Sequence, residues 1–548
     1  MRFTNYPAGA ILITASLLLC LFTPLSARSS FDSIDAIPHA GDLDLSFGDG
    51  GKVFTTFGPY EFSGGWANRI TVQPDLKIVA VGGQFTRYSN SRYEDLRFIL
   101  ARYNPGGALD ASFGSGGKVT NDFGSRGCFA NTVAIQADGK ILAAGESQGL
   151  TSSGKYTIFP ALARYNSDGT PDASFGDEGK VIFIGGFSHP PEVEGQAYAI
   201  ALQSDGKIVI AGGELVTTQL SIRGIDPPVD PPAPRVFGTY FLTRLNADGS
   251  IDTSFGDRGI ARLPDAGVAF DLFVLIDGRI VVICRSTDSK TLVVRYMENG
   301  SLDPSFGTDG IARVLGLFSA RAGIVQPDGK IVVIGAAHND YALLRLDADG
   351  GSPDTSFGSN GIVTIDFSTT NLHDIPEAVA LQPDGKIIVA GSTGDFSVIS
   401  DFAIARYNSD GSLDTTFGVG GKVSVNFGVS DYIRAVTLQP DGNVLAAGFT
   451  IADPDIVGPR RIVIARFLGS TPPPIIVAAI KKGKKLKISG QNFEEGARIL
   501  LNGEIQQTIY VSSTILTGKK AGKFVSAGDK IQVGNPNGVT SSEFTYIP

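Results

Sequence analysis

Apolar residues along the chain fall in short runs cut by Gly, Asp, Asn, Ser and Pro, and they show no helical spacing. The cleanest run is Gln382–Gly391, QPDGKIIVAG, where a Pro-Asp-Gly turn separates two apolar stretches. Glu377–Gln382 and Lys386–Gly391 therefore read as a tight β-hairpin. The same slot holds QPDLKIVAVG at Gln73, QADGKILAAG at Gln136, QSDGKIVIAG at Gln203, LIDGRIVVIC at Leu275, QPDGKIVVIG at Gln326 and QPDGNVLAAG at Gln439. Seven copies make the chain a repeat array, and the repeat governs every later reading.

Three further elements recur with the hairpin. An apolar strand ends in a basic residue followed by an aromatic or Leu, as in FILARY at Phe98, TLVVRY at Thr291 and FAIARY at Phe402. Next comes a turn of the form N-x-D-G-S-L-D-x-S-F-G, whose end reads LDLSFG at Leu43, LDASFG at Leu109 and LDTTFG at Leu413. A fourth short strand follows, such as Lys52–Phe57, Lys118–Phe123 or Lys422–Phe427. Four antiparallel strands per repeat predict a propeller blade, with an open β-solenoid as the competitor. The array begins with the SFG turn and the strand Lys52–Phe57, and it stops after the arginine strand Ile462–Phe467. These ends are complementary, so the first strand can complete the last blade and remove an exposed edge, which an open solenoid would not need. The expected fold is all-β, a seven-bladed β-propeller over residues 43–469.

The segments LDxSFGxGGKV, QPDGKIVVAG and ALARYNxDGS resemble the delta-60 β-propeller repeat family of bacterial secreted and surface proteins. The resemblance covers Leu43 to about Phe467, and the fourth and fifth units depart furthest from it, Leu275-Ile276 standing where others have Gln-Pro. It implies a propeller and carries no activity that could be transferred to residues here. After a Pro-rich linker at residues 470–474 the composition changes. KLKISGQNF at Lys485, ARILLNG at Ala497, YVSSTIL at Tyr510 and DKIQVGNPNG at Asp529 are similar to an IPT/TIG immunoglobulin-like domain. Their alternation and Asn-Gly turns also predict a small Ig-like β-sandwich over residues 475–548.

Composition narrows the function. The 548 residues carry a formal charge of −9, which argues against a nucleic-acid partner. From Pro472 on, nine Lys and one Arg face four Glu and one Asp, leaving the C-terminal module near +5 and the rest near −14. A solvated basic face accounts for that excess better than attachment to an acidic surface. Arg2, the apolar run Ala8–Phe22 and Leu25-Ser26-Ala27 predict a signal peptide over residues 1–27, followed by a leader to residue 42. No transmembrane segment is expected after its removal. Cys128 and Cys284 then remain, in non-adjacent units, and are expected as free thiols. Secreted, periplasmic or cell-surface placement follows.

Each unit offers an Asp in its hairpin turn (Asp75, Asp138, Asp205, Asp277, Asp328, Asp384, Asp441) and an Arg near the end of its third strand (Arg102, Arg164, Arg244, Arg295, Arg345, Arg406, Arg466). A meander brings both positions to one end of adjacent strands, so an Arg–carboxylate bond between them is expected in every blade. A second Asp, such as Asp414, is expected to cap nearby backbone N–H groups. Asn408–Asp414 has the spacing of a calcium loop, but Arg406 stands where such a loop needs its first acid. Gly145–Gly149 matches G-x-S-x-G without the strand-to-helix turn a nucleophile elbow requires, and the four His show no ligand spacing. No catalytic residue, metal or cofactor is expected.

The two repeated turns hardly vary in length, whereas the other two connections do, as in Glu214–Phe237 with its PPVDPP. In an up-and-down blade the variable connections share one face, the usual mark of a binding surface. The first unit's loops hold Tyr60, Phe62, Trp66, Phe85, Arg87, Tyr88, Arg92 and Tyr93. Tyr60, Trp66, Arg87, Tyr88, Arg92 and Tyr93 are the candidate ligand contacts, suited to a glycan or a protein. The expectation is a monomeric, non-enzymatic binding or scaffold protein; the alternative is a propeller enzyme acting on extracellular polysaccharide.

Overall fold

The computed structural model describes residues 38–548 apart from 59–63, 86, 90–91, 95, 125–126, 151–155, 184–193, 216–236, 264–265, 287–289, 315–318, 338, 368–372, 396–398, 452–459, 471 and 537–538. The signal-peptide expectation lies outside the described residues. Two compact units divide the described chain, Pro38–Pro472 and Pro473–Pro548.

Local chemistry builds each sheet of the first unit in the same way. Gly64–Val72, Ile78–Phe85, Arg97–Tyr103 and Lys118–Asn121 form one four-stranded antiparallel sheet in chain order. Val72 pairs with Ile78 across the hairpin turn, and Ala101 pairs with Lys118 at the outer edge. The turn itself needs a residue with positive φ: Gly139, Gly206, Gly278, Gly329, Gly385 and Gly442 all adopt φ of +82 to +86° there. The first sheet instead places Leu76 at φ +67°, 41 % exposed. An L-residue with a Cβ costs about 1 kcal/mol in that conformation. Leu76→Gly is therefore expected to raise the denaturant midpoint by an amount worth about 0.5–1 kcal/mol, and an unchanged or lowered midpoint would contradict the strain.

The same meander recurs in sheets whose first strands are Cys128–Ile135, Glu194–Leu202, Ala266–Val274, Ser319–Val325 and His373–Leu381. The last sheet takes three strands from Ser430–Leu438, Val444–Ile451 and Arg460–Phe467. Its fourth strand is Lys52–Thr55, paired Lys52 to Ala465 and Thr55 to Ile462. The complementary ends of the repeat array therefore do meet. Ser400 and Ser430 form a single parallel bridge between the last two sheets.

Sheets stack face to face, which explains why their second strands read as unbroken apolar runs. Ile78 and Ala80 pack backward against Leu445, Ala447 and Ile464 of the last sheet. Val79 and Val81 point the other way, against Ile141, Ala143 and Ala161 of the next. Five further clusters link the remaining sheets in sequence, so the series of cores returns to its start. Cys128 and Cys284 are buried in different sheets and unpaired, and burial pushes the Cys128 thiol up to about 11.

In the second unit, Ile475–Lys482, Lys485–Gln491, Ile515–Gly518 and Thr508–Ser512 form one sheet. Glu504–Ile505, Arg498–Leu501, Lys530–Gly534 and Phe544–Thr545 form another. Leu486, Ile488, Phe493, Ile499, Leu516 and Val533 make a core shared by the two sheets. Among the described residues no helix is long and apolar enough to cross a membrane.

Candidate functional site

The repeated charges fall into a clamp that differs from the expected one. Each third-strand Arg pairs with the Asp of the SFG turn, not with the Asp of the hairpin turn. Arg102 Nε donates to Asp110, Arg164 to Asp172, Arg244 to Asp252, Arg295 to Asp303, Arg345 to Asp354 and Arg406 to Asp414, all at 2.7–2.8 Å. Arg466 closes the set at 2.8 Å from Asp44. The guanidinium also lies over the Phe of the same turn, 4.3–4.8 Å from its centroid in all seven cases.

The hairpin Asp is spent locally. Asp75, Asp138, Asp205, Asp277, Asp328, Asp384 and Asp441 each accept the backbone N–H two residues on, an Asx-type turn that keeps the carboxylate at the surface. The basic residue two positions on bridges to the SFG-turn Asp, as Lys77 does to Asp110 at 3.1 Å and Lys386 to Asp414 at 2.8 Å. The SFG-turn Asp caps backbone as expected, Asp414 accepting from the Thr416 amide at 3.1 Å. Each Arg then reaches the following sheet, Arg164 donating to the Ala247 carbonyl at 2.5 Å and Arg244 to Glu298 at 2.7 Å. Arg466 donates to the Pro105 carbonyl at 2.8 Å, joining the last sheet to the first. A device present in every sheet holds the sheets together and does not mark a ligand site.

The loop candidates of the first unit are only partly placed. Tyr60 and Phe62 lie outside the described residues. The backbones of Arg87–Ser89 and Arg92–Glu94 form a two-stranded ribbon in which Tyr88 pairs with Tyr93 and Arg87 with Glu94. Trp66 is corrected: it belongs to the strand Gly64–Val72 and is 4 % exposed. Its ring meets Phe129 edge-on at 5.9 Å, and it packs with Phe85, Leu96, Tyr432 and Phe449. Gly83 makes the room, since a Cβ there would stand 2.2 Å from the indole. A strand residue facing the next sheet is a packing residue.

The innermost strands carry what sequence reading missed. First strands of successive sheets lie against one another, and each has a bulge five residues before the hairpin turn's first residue. The bulged residues are Asn68, Asn131, Tyr198, Phe270, Arg321, Glu377 and Arg434. All seven are half-buried. A bulge turns its extra residue out of the ladder, so these side chains collect on the inner wall. Asn68 and Asn131 tie sheet to sheet, donating to the Ala130 carbonyl at 2.8 Å and the Ala197 carbonyl at 2.9 Å. Tyr198 and Phe270 lie 6.3 Å apart between ring centroids. Glu377 Oε1 sits 3.7 Å from Arg321 and 3.4 Å from Arg434.

Next to Asn68, Arg69 of the first sheet meets Asp271 of the fourth at 3.4 Å. Contact between sheets so far apart in the series places both at a common centre. Burial raises the Asp271 carboxyl, opposed by Arg69 and by the Gly323 and Leu272 amides. Asp340, Asp366 and Asp374 form an acidic group elsewhere, but Asp374 already caps the Phe367 amide at 2.7 Å and accepts from Thr393. The inner wall is the place where equivalent positions change chemistry from sheet to sheet.

Residues 73–113, 136–175, 237–255, 277–306, 326–357 and 382–417 match a beta-propeller domain family of unknown function, DUF5122. The repeats are thus β-propeller repeats, in agreement with that part of the resemblance. No curated protein matches the chain. Similar solved structures include a Dyadobacter fermentans protein of unknown function, with 12 % identity, a TM-score of 0.35 and coverage of 76 % of this chain and 98 % of that one. A Xanthomonas campestris gluconolactonase gives 13 %, 0.31, 78 % and 95 %. A Lactobacillus plantarum protein gives 12 %, 0.40, 80 % and 96 %.

Proposed function

We propose that this chain is a secreted, periplasmic or cell-surface binding and scaffold protein without enzymatic activity. In this reading a seven-bladed β-propeller carries the ligand site, and an IPT/TIG-type, immunoglobulin-like sandwich follows it. The protein is a monomer whose partner is an extracellular glycan or protein. One observation carries the reading: turns at one end of the sheets repeat their chemistry, while the seven inner-wall positions hold Asn, Asn, Tyr, Phe, Arg, Glu and Arg. Positions freed from a common structural duty are where a repeat scaffold places recognition. The loops bearing Tyr60, Arg87, Tyr88, Arg92 and Tyr93 extend that surface in this reading.

Asp271 favours a second reading. A buried carboxyl with raised proton affinity at the centre of a ring is the kind of group a polysaccharide-cleaving enzyme uses as an acid. A glycan array run with product analysis on the same ligands separates the two. Retention of a ligand class with no new reducing ends is expected. Product release that disappears in Asp271→Asn would replace the binding reading with the enzymatic one.

A further inference from the structure

We infer that the inner wall between the third and seventh sheets is a subsite for a carboxylate-bearing sugar, a uronate unit of an acidic glycan; this rests on the glycan-binding reading above. Six side chains form a continuous arc. Tyr198 faces Phe270; the Arg285 guanidinium lies 5.4 Å over the Phe270 ring; Arg321, Glu377 and Arg434 follow. Two guanidinium groups, Arg321 and Arg434, share the Glu377 carboxylate, and Arg285 lies within electrostatic reach of Arg321, in a protein whose net charge is −9.

Geometry separates these arginines from the structural ones. Clamp arginines hold their Asp at 2.7–2.8 Å, whereas Arg321 and Arg434 stand 3.7 and 3.4 Å from Glu377. The arc arginines therefore keep fork donors unspent, and about a third of each of the Arg321 and Arg434 side chains is open to solvent. Burial, and then the like charge of Arg321, lowers the Arg285 proton affinity below its ordinary value. An incoming anion relieves that repulsion. A planar carboxylate fits a guanidinium fork through two parallel hydrogen bonds. The Tyr198 and Phe270 rings supply the apolar face against which a pyranose ring packs.

Titration calorimetry of the full mature chain tests this, with oligogalacturonate, its methyl ester and inorganic phosphate as probes. Oligogalacturonate is expected to bind, and the methyl ester, lacking the charge, to bind at least about tenfold more weakly. Arg321→Ala and Arg434→Ala should each cost about tenfold or more with an unchanged melting temperature. Arg434→Lys should retain part of the affinity, and Glu377→Gln should raise it by removing the internal competitor. Equal binding of the methyl ester, or full binding by the arginine variants, overturns the uronate subsite and leaves a neutral-glycan reading standing. Phosphate competing as well as the oligomer makes the arc a free-anion site and overturns the sugar class. Failure of oligogalacturonate to bind overturns the inference. Only failure of every arrayed glycan and protein brings down the functional reading with it.

Discussion

A chain beginning at Gly58 should melt at least about 10 °C below one beginning at Pro38. The missing stretch contains the strand Lys52–Thr55, which pairs with Arg460–Phe467 and forms the outer edge of the last sheet. It also contains Phe47 and Phe57, both buried in the core between the last and first sheets. Fully burying such side chains contributes about 1.5–3 kcal/mol each, so two of them alone approach the low end of a domain's whole stability. Asp44, the partner of Arg466, goes with them. An orphaned Arg466 in the edge of an unfinished sheet adds an uncompensated charge to a newly exposed ladder. A synthetic peptide spanning residues 43–57 should restore much of the loss when added in excess, because it binds only the folded ring. Melting within about 2 °C of the parent would mean that the strand is a frayed tail and the closure contributes nothing.

Closure was legible because it is written twice, once in the unit that lacks an arginine strand and once in the unit that lacks an SFG turn. Strand order was legible for a related reason. Each sheet is a local meander, and local pairing needs no long-range information beyond the turn chemistry at Gln382–Lys386 and its copies. Charge pairing was half legible. Arg406 and two acids, Asp384 and Asp414, have counterparts throughout the repeats, and spacing alone does not choose between them. The turn chooses: Asp384 lies two residues before an N–H that needs an acceptor, so its oxygen is taken before the Arg can compete. Trp66 was misplaced because its loop ends sooner than the glycines suggest, Gly64 and Gly65 already belonging to the strand.

The inner wall was illegible for the opposite reason. Asn68, Tyr198, Phe270, Arg321 and Glu377 have nothing in common as residue types, and a repeat search treats that column as noise. Its register is fixed all the same, five residues before the Gln or Leu that opens each hairpin turn. Reading the repeat for the column that refuses to repeat would have found it. The extra residue of a bulge is free of ladder duties, which is why chemistry can vary there without cost to the sheet.

Arg406→Ala should destabilise the protein by about 2–4 kcal/mol, since it removes the buried ion-pair partner of Asp414, which Lys386 still holds, and breaks the bond to the Gly469 carbonyl. Asp414→Asn should also cost stability heavily, while Asp384→Asn should cost less than about 1 kcal/mol. The contrast follows from position: the Asp414 side chain is 6 % exposed and that of Asp384 57 %. Burial alone would raise the Asp414 carboxyl, but Lys386, the Thr416 hydroxyl and amide, and Arg406 outweigh it and hold it well below the usual range. Asp110, Asp172, Asp252, Asp303 and Asp354 are held down by the corresponding partners. A carboxyl with lowered folded-state affinity for protons stabilises the fold above its unfolded pKa of about 3.9, and the contribution is lost as pH falls toward the folded value. Stability should therefore be level through neutral pH and fall steeply below about pH 4, with six carboxyls acting in the same direction. Asp414→Asn, having already lost one of them, should show a shallower fall from a lower plateau. Urea midpoints for parent, Asp414→Asn and Asp384→Asn at neutral pH and near pH 3 measure both effects. Equal losses in the two Asn variants, or a parent midpoint that holds steady into the acid range, would mean that the clamp does not bind the sheets together.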